Sequence, residues 1–481
     1  MSNIIERSQA VPSRYRILGL LVIALAVAAA VGGATSRSAQ AVLDPTLPNT
    51  VQQWNKVAED AVISSGAFQG EGEIYMAYTS AAVYDALVAI QGGYEPYGPA
   101  IAAPAGASLD AAVVEAAYQT LSAYFPSSCN TTNATCMALG ASLLTDRNAA
   151  LALIPNGTSK TNGMTVGAAA AAGIVALRAG VRLTPIATTS AFDTKDPGPG
   201  VYRRTPAGPC TPNAPPACTN GITYAAPQTP WLGSVQPFLL KSPGQFKTEP
   251  PPPLTSQAWV RAYDEVKAYG KSDSTVRTAE QTGIANFYTA NVIRQFNRAG
   301  RDLATARNLS LLQTARLLAM VNTASADALM SVLNQKYRFL FWRPVTAIDP
   351  TSVTADGFGP SPGFDDGNPR TVEQTPWRPL VVTPNHPEYP GAHGTNTSAM
   401  AEVFSEFLGT DDIDMDIRGS TDGTGNLNRV RHFDTAEELR ADVVNARTWG
   451  GIHYRFSTEA GVQLGQKVAH YGLNHTFKAT G

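Results

Sequence analysis

Three segments in the last third of the chain carry residues whose types suit an oxyanion. Lys336-Tyr-Arg-Phe-Leu-Phe-Trp-Arg343-Pro344 closes the longest helix that the apolar pattern predicts. His386-Pro-Glu-Tyr-Pro390-Gly391-Ala392-His393 leads into another helix, and Arg447-Thr-Trp-Gly-Gly451-Ile-His453 leaves a third. Each residue alone has a plain structural reading. Lys336 could be a solvated helix-end cation facing the negative end of the helix dipole. Arg343 could be a salt-bridge donor, His393 a first-turn histidine, His386 a loop histidine facing water, and Arg447 and His453 polar residues satisfied by carbonyls.

Taken together they make a chemical unit. A tetrahedral anion with two or three charges needs several fixed donors. Arg343 and Arg447 offer planar forks for oxygen edges, and Lys336 offers a point charge. Backbone N–H groups of Gly391 and Ala392, at a helix start, point donors at an anion. His453 and His393 remain, one to bond the central atom and one to move protons.

The three segments resemble the signature of the vanadium haloperoxidase and type 2 phosphatidic-acid phosphatase superfamily: Lys-x6-Arg-Pro, Pro-Ser-Gly-His, then Ser-Arg-x3-Gly-x-His-x3-Asp. Order and spacing agree. Upstream, Trp54-Asn55 and Met76-Ala-Tyr-Thr-Ser-Ala-Ala-Val-Tyr-Asp85 resemble the helical half that precedes the signature in bacterial haloperoxidase-like proteins. The resemblance implies vanadate as cofactor, with Lys336, Arg343 and Arg447 on its equatorial oxygens and the Gly391 and Ala392 amides adding hydrogen bonds. It makes His453 the axial ligand to the metal and His393 the acid/base. Hydrogen peroxide and halide would be the substrates, hypohalous acid the product, and a small organic acceptor is compatible with this. In that family a histidine at the position of His386 resembles the bromoperoxidases, and a phenylalanine there resembles the chloroperoxidases.

The sequence departs from the pattern at four places. Gly391 replaces the serine, Ala392 the glycine, Ala446 the serine before the arginine, and Ser457 the aspartate after His453. Ser457 lacks the charge that would orient the imidazole, though it could cap a helix over 458–472. The same pocket admits two other readings. One is a phosphatase in which His453 attacks phosphorus and His393 protonates the leaving oxygen. The other is a non-catalytic oxyanion binder. Dye halogenation with and without vanadate, beside hydrolysis of a chromogenic phosphate, separates the three.

The elements that must position these residues read as helices. Apolar residues recur at three and four over 51–91, 108–125, 135–154, 164–179, 256–269, 278–299, 308–341, 393–408, 435–449 and 458–472. Residues 183–256 and 345–390 are Pro-rich excursions, and no segment reads as a strand. The expected class is all-α: two helix-bundle halves with long Pro-rich surface loops and under ~10% strand. The halves are expected over 42–255 and 256–481.

Residues 1–41 read as an export signal. Arg7, Arg14 and Arg16 precede an apolar run over 17–31, and Ala39-Gln40-Ala41 supplies a cleavage site. That run is shorter than the ~20 residues a spanning helix needs, and no later stretch reads as a span. Cleavage removes Arg7, Arg14, Arg16, Arg37 and Glu6, taking 36 basic and 38 acidic residues to 32 and 37, a net −5. That excludes a nucleic-acid footprint, which needs a basic patch; a homo-oligomer stays open. Export makes local disulfides, Cys129–Cys136 and Cys210–Cys218, the expected state of the four cysteines.

Overall fold

Side-chain caps set most helix starts. The computed structural model describes residues 44–480 apart from 67–68, 129–133, 180–197, 205, 210–217, 220–221, 225–226 and 350–365. The expected leader lies outside the described residues, and so do both expected disulfides. Five helices fill the first half: α1 Thr50–Ser64, α2 Gln69–Gln91, α3 Leu109–Ser128, α4 Ala134–Ala152 and α5 Thr158–Leu177. The second half holds α6 Gln257–Tyr269, α7 Ala279–Phe287, α8 Val292–Ala306, α9 Leu311–Phe339, the short α10 Pro344–Ile348, α11 Ala392–Leu408, α12 Ala436–Trp449 and α13 Arg455–His475. Reciprocal capping boxes start α7 (Thr278 with Gln281), α9 (Ser310 with Gln313) and α12 (Thr435 with Glu438).

Helix α9 is the spine, packing against α2, α8, α11 and α13. It is long and apolar enough to cross a membrane, which corrects the expectation that no later stretch is. However, 89% of its most apolar window is buried inside the protein. Its apolar surface therefore belongs to the core, which runs from Val51 and Trp54 through Leu317, Met330 and Phe404 to Phe477. Both expected halves contribute to that one core.

Two expected elements differ. The helix predicted over 278–299 is broken, because Asn291 turns its side chain onto the Ile293 N–H and caps a new helix, α8. A β-hairpin also appears where no strand was read: β4 Asp412–Gly419 pairs antiparallel with β5 Arg429–Thr435. Ile413, Met415 and Ile417 alternate inward along β4 between acidic residues, so the period-2 signal was there but short. A small three-stranded sheet in the 206–224 excursion (β1 Pro206–Pro209, β2 Cys218–Thr219, β3 Ile222–Tyr224) completes the strands described. The architecture remains mostly helical, as the periodicity predicts.

Glycines let α11 and α13 approach closely. A Cβ at Gly465 would stand 2.0 Å from the Thr395 carbonyl oxygen, so only glycine fits there.

Candidate anion site

The three segments meet beside a second cluster of aromatic residues. Trp342 precedes Arg343, Tyr389 follows Glu388 and Tyr454 follows His453; all three belong to one cluster with Trp259, Phe341 and Trp377. Trp259 stacks on Trp342 at 6.0 Å between centroids and lies 4.8 Å from Tyr454. Each segment is thus anchored by a ring next to its functional residue, which limits how far that residue can stray.

Lys336, in the last turn of α9, is fully buried and donates to the carbonyls of Pro387 (2.9 Å) and Glu388 (2.8 Å). Arg343 is also fully buried. Its Nε donates to the His386 carbonyl at 3.0 Å and its Nη1 to the Ile452 carbonyl at 2.8 Å. The same guanidinium reaches His453 Nε2 at 3.2 Å and His386 Nδ1 at 3.0 Å. Arginine only donates, so His453 Nε2 accepts; His386 Nδ1 stands between the Arg343 donor and the Pro387 carbonyl oxygen at 3.2 Å. His386 is therefore a buried partner of Arg343 and not a loop histidine in water.

Arg447 leaves α12 and donates to the Tyr288 carbonyl at 3.1 Å. That carbonyl is free because the helix breaks between α7 and α8. His393 bonds to the same carbonyl through its ring. Arg447 Nε is buried and has no partner. Neither Tyr288 nor the break was foreseen from sequence, since a carbonyl acceptor leaves no residue signature.

Electrostatics tie the groups into one site. Burial, and then Arg343, hold the Lys336 ammonium well below its ordinary range. Burial draws Arg343 down to about 10, and burial with Arg343 draws Arg447 down to about 9. Burial, followed by the cations, holds His386, His393 and His453 well below the usual histidine value, so all three are neutral at pH 7. Among the described residues, the carboxylate that acts on both Lys336 and Arg343 is Glu388, whose own pKa burial raises to about 7. Three buried cations, two of them facing that carboxyl and the third with an unpartnered Nε among the described residues, form a donor set that fits an oxyanion.

The predicted residues converge in two layers. His386, His393 and Arg447 line a cleft of about 710 Å³, with Gln228, Asn286 and Thr289 on its walls. Lys336, Arg343 and His453 lie behind that wall, buried. One expected donor is already engaged: the Gly391 N–H bonds the Ser457 carbonyl at 2.8 Å. The cause is steric closeness, since α13 presses so near that a Cβ on Gly391 would sit 2.9 Å from Thr458 Cα. Ala392, first residue of α11, keeps its amide outside the helix ladder. Ser457 is not a helix cap as expected, because α13 starts earlier, at Arg455, with Tyr454 in the cap position. Its hydroxyl instead donates to the Glu388 carbonyl at 3.3 Å.

Sequence reasoning passed over Glu388 although it lies between His386 and His393. Its Oε1 accepts from His453 Nδ1 at 2.8 Å and from the Tyr454 N–H at 3.1 Å. A carboxylate inside that segment, with Ser457 where the family has aspartate, was the available signal.

Comparison with known proteins finds similar chains. Residues 316–480 match a family described as the VCPO second helical-bundle domain. A vanadium chloroperoxidase from Curvularia inaequalis is 27% identical over 298 residues, 49% of this chain and 48% of its own length. The chain thus spans about half the length of that curated relative. Among solved structures, one described as the first bacterial vanadium-dependent iodoperoxidase superposes with a TM-score of 0.66 at 21% identity, covering 89% of this chain and 96% of its own. A holo-type bacterial vanadium-dependent chloroperoxidase gives 0.63 at 15% identity, covering 87% and 92%. At these identities the two structures establish the fold.

Proposed function

We propose that this chain, whose second helical bundle matches a VCPO domain family over residues 316–480, is a vanadate-dependent haloperoxidase using hydrogen peroxide to oxidise halide, with bromide preferred. The observation that carries this reading is the buried trio Lys336, Arg343 and Arg447, of which Lys336 and Arg343 face the Glu388 carboxyl of raised pKa while Arg447 Nε is unpartnered among the described residues. Only an anion gives those charges a reason to share an interior.

In this reading Lys336, Arg343 and Arg447 would hold the oxygens of the oxyanion, and the Ala392 N–H would add a donor at the start of α11. His453 offers Nε2 to the metal. Vanadate, when bound, supplies Lewis-acid activation of peroxide without a change of oxidation state. The protein supplies the rest. His393, neutral and on the cleft wall, holds or releases a proton there, its ring fixed by the Tyr288 carbonyl. His386, held by Arg343 and the Pro387 carbonyl at Nδ1, lines the same cleft. The preference for bromide is inferred from His386. Export, with removal of residues 1–41 and two local disulfides, belongs to the same proposal, as does the assignment of the catalytic half to 256–481.

The test is a pair of assays on one preparation. Bromination of a dye with peroxide should appear only after vanadate is added. Hydrolysis of a chromogenic phosphate without bromide oxidation would favour the phosphatase, and neither activity would favour a binder.

A further inference from the structure

Glu388 ties the three segments together through one residue. Its N–H donates to the Phe341 carbonyl at 2.9 Å, and its carbonyl accepts from Lys336 Nζ at 2.8 Å and from Ser457 Oγ at 3.3 Å. Its side chain is fully buried, with Oε1 on His453 Nδ1 and the Tyr454 N–H. Burying a carboxyl is costly, so a position this enclosed needs a task.

His453 has two neighbours that demand the same tautomer. Arg343 Nη1, 3.2 Å from Nε2, can only donate, so Nε2 must carry a lone pair. The proton then sits on Nδ1, where Glu388 accepts it at 2.8 Å. No carboxylate stands four residues after His453, because Ser457 is there and its hydroxyl turns to the Glu388 backbone.

We infer that Glu388 is the positioning residue for His453: from the loop before α11 it holds the ring as the Nδ1–H tautomer and keeps Nε2 unprotonated, so that its lone pair can exchange the Arg343 contact for the central atom of an oxyanion. The proposed function supplies only what binds at Nε2; the orienting bond stands on the distances above. A carboxylate on a ligating imidazole fixes ring orientation and raises the basicity of the other nitrogen, and removing such a partner typically costs 10–100-fold in affinity. In this chain the carboxylate that meets His453 stands in the loop facing it, and the residue four after His453 is the neutral Ser457.

The experiment has two readouts, neither of them turnover. The first is the tautomer of His453 in 15N-histidine-labelled protein without added anion, assigned by loss of its signals in His453→Gln. The second is the dissociation constant for inorganic phosphate and for orthovanadate. The parent protein should show Nδ1–H only. Glu388→Gln, whose amide oxygen can still accept, should keep Nδ1–H yet bind both anions at least threefold more weakly. Glu388→Ala should give mixed tautomers and about 10–100-fold weaker binding. Glu388→Ala with His453 still wholly Nδ1–H and affinities within threefold of the parent overturns the inference. Should circular dichroism show the alanine variant unfolded, Glu388→Gln decides: affinities within threefold overturn it, a larger loss supports it. A parent protein that binds neither anion removes the oxyanion reading, while the tautomer measurement still judges Glu388.

Discussion

The Arg343 guanidinium donates to His453 Nε2 across 3.2 Å, so the nitrogen that faces the anion site already has a partner within the protein. Bonding at Nε2 must displace that contact, and the released N–H can then turn to an anion oxygen. Arg343→Lys should therefore weaken vanadate and phosphate binding by roughly 10–100-fold. One ammonium cannot replace a fork that serves His386, Ile452 and both rings, and charged hydrogen bonds are worth about 1.5–3 kcal/mol each. Calorimetric titration checks this, and affinities within threefold of the parent would show that Arg343 is structural only.

The two histidines should separate by readout. His453→Ala removes the ring nitrogen that would bond the oxyanion's central atom, so vanadate-dependent bromide oxidation should disappear and vanadate binding weaken. His393→Ala should retain vanadate in equilibrium dialysis while bromination slows by about 10²–10⁴-fold, the usual worth of a positioned acid/base group. Equal loss of binding in both variants would contradict the assigned roles.

Gly391→Ser restores the family's residue type and should nonetheless harm the protein. The added Cβ would stand 2.9 Å from Thr458 Cα, a backbone atom that cannot swing aside. Overpacking of this kind costs about 1–3 kcal/mol. A thermal melt should show a lower Tm, and an unchanged or higher Tm would mean that the α11–α13 contact yields more easily than its geometry suggests.

Glu73 allows a pH test away from the site. It is buried in α2, and burial, opposed only by a hydrogen bond with Ser325, raises its carboxyl to about 8. Between the ordinary value of 4.5 and about 8 the folded protein keeps a proton that the unfolded chain releases. Stability from this group is therefore full below the ordinary value and is lost as pH rises toward 8. Glu73→Gln should remove that loss, gaining up to a few kcal/mol on the parent between pH 5 and pH 8. Denaturant midpoints at the two pH values measure it; parallel shifts in parent and variant would refute it.

The helices and the meeting of Lys336, Arg343, His393, Arg447 and His453 were legible in sequence because both rest on residue type and spacing. Periodicity marked α9 and α11 to α13 within a few residues, and cations on three segments pointed to one ligand class. What escaped depends on tertiary closeness. The break before Asn291 matters because Arg447 needs the Tyr288 carbonyl. The Gly391 amide is engaged because α13 presses against it, and Glu388 acts on a residue far along the chain. The β4 strand escaped for a local reason: three inward residues alternating with acids are too short a run to stand out from loop.

The cations of this site are held in place almost wholly by main-chain oxygens: those of Pro387 and Glu388 for Lys336, His386 and Ile452 for Arg343, and Tyr288 for Arg447. A carbonyl is a dipole with no net charge. It can fix where a cation stands while leaving its monopole field uncancelled at longer range, which a carboxylate partner would not do. Location and charge are thus supplied by different parts of the molecule. The field reaching the 710 Å³ cleft should survive most side-chain changes nearby and respond sharply to any change in the path of the backbone at 288 or 386–388.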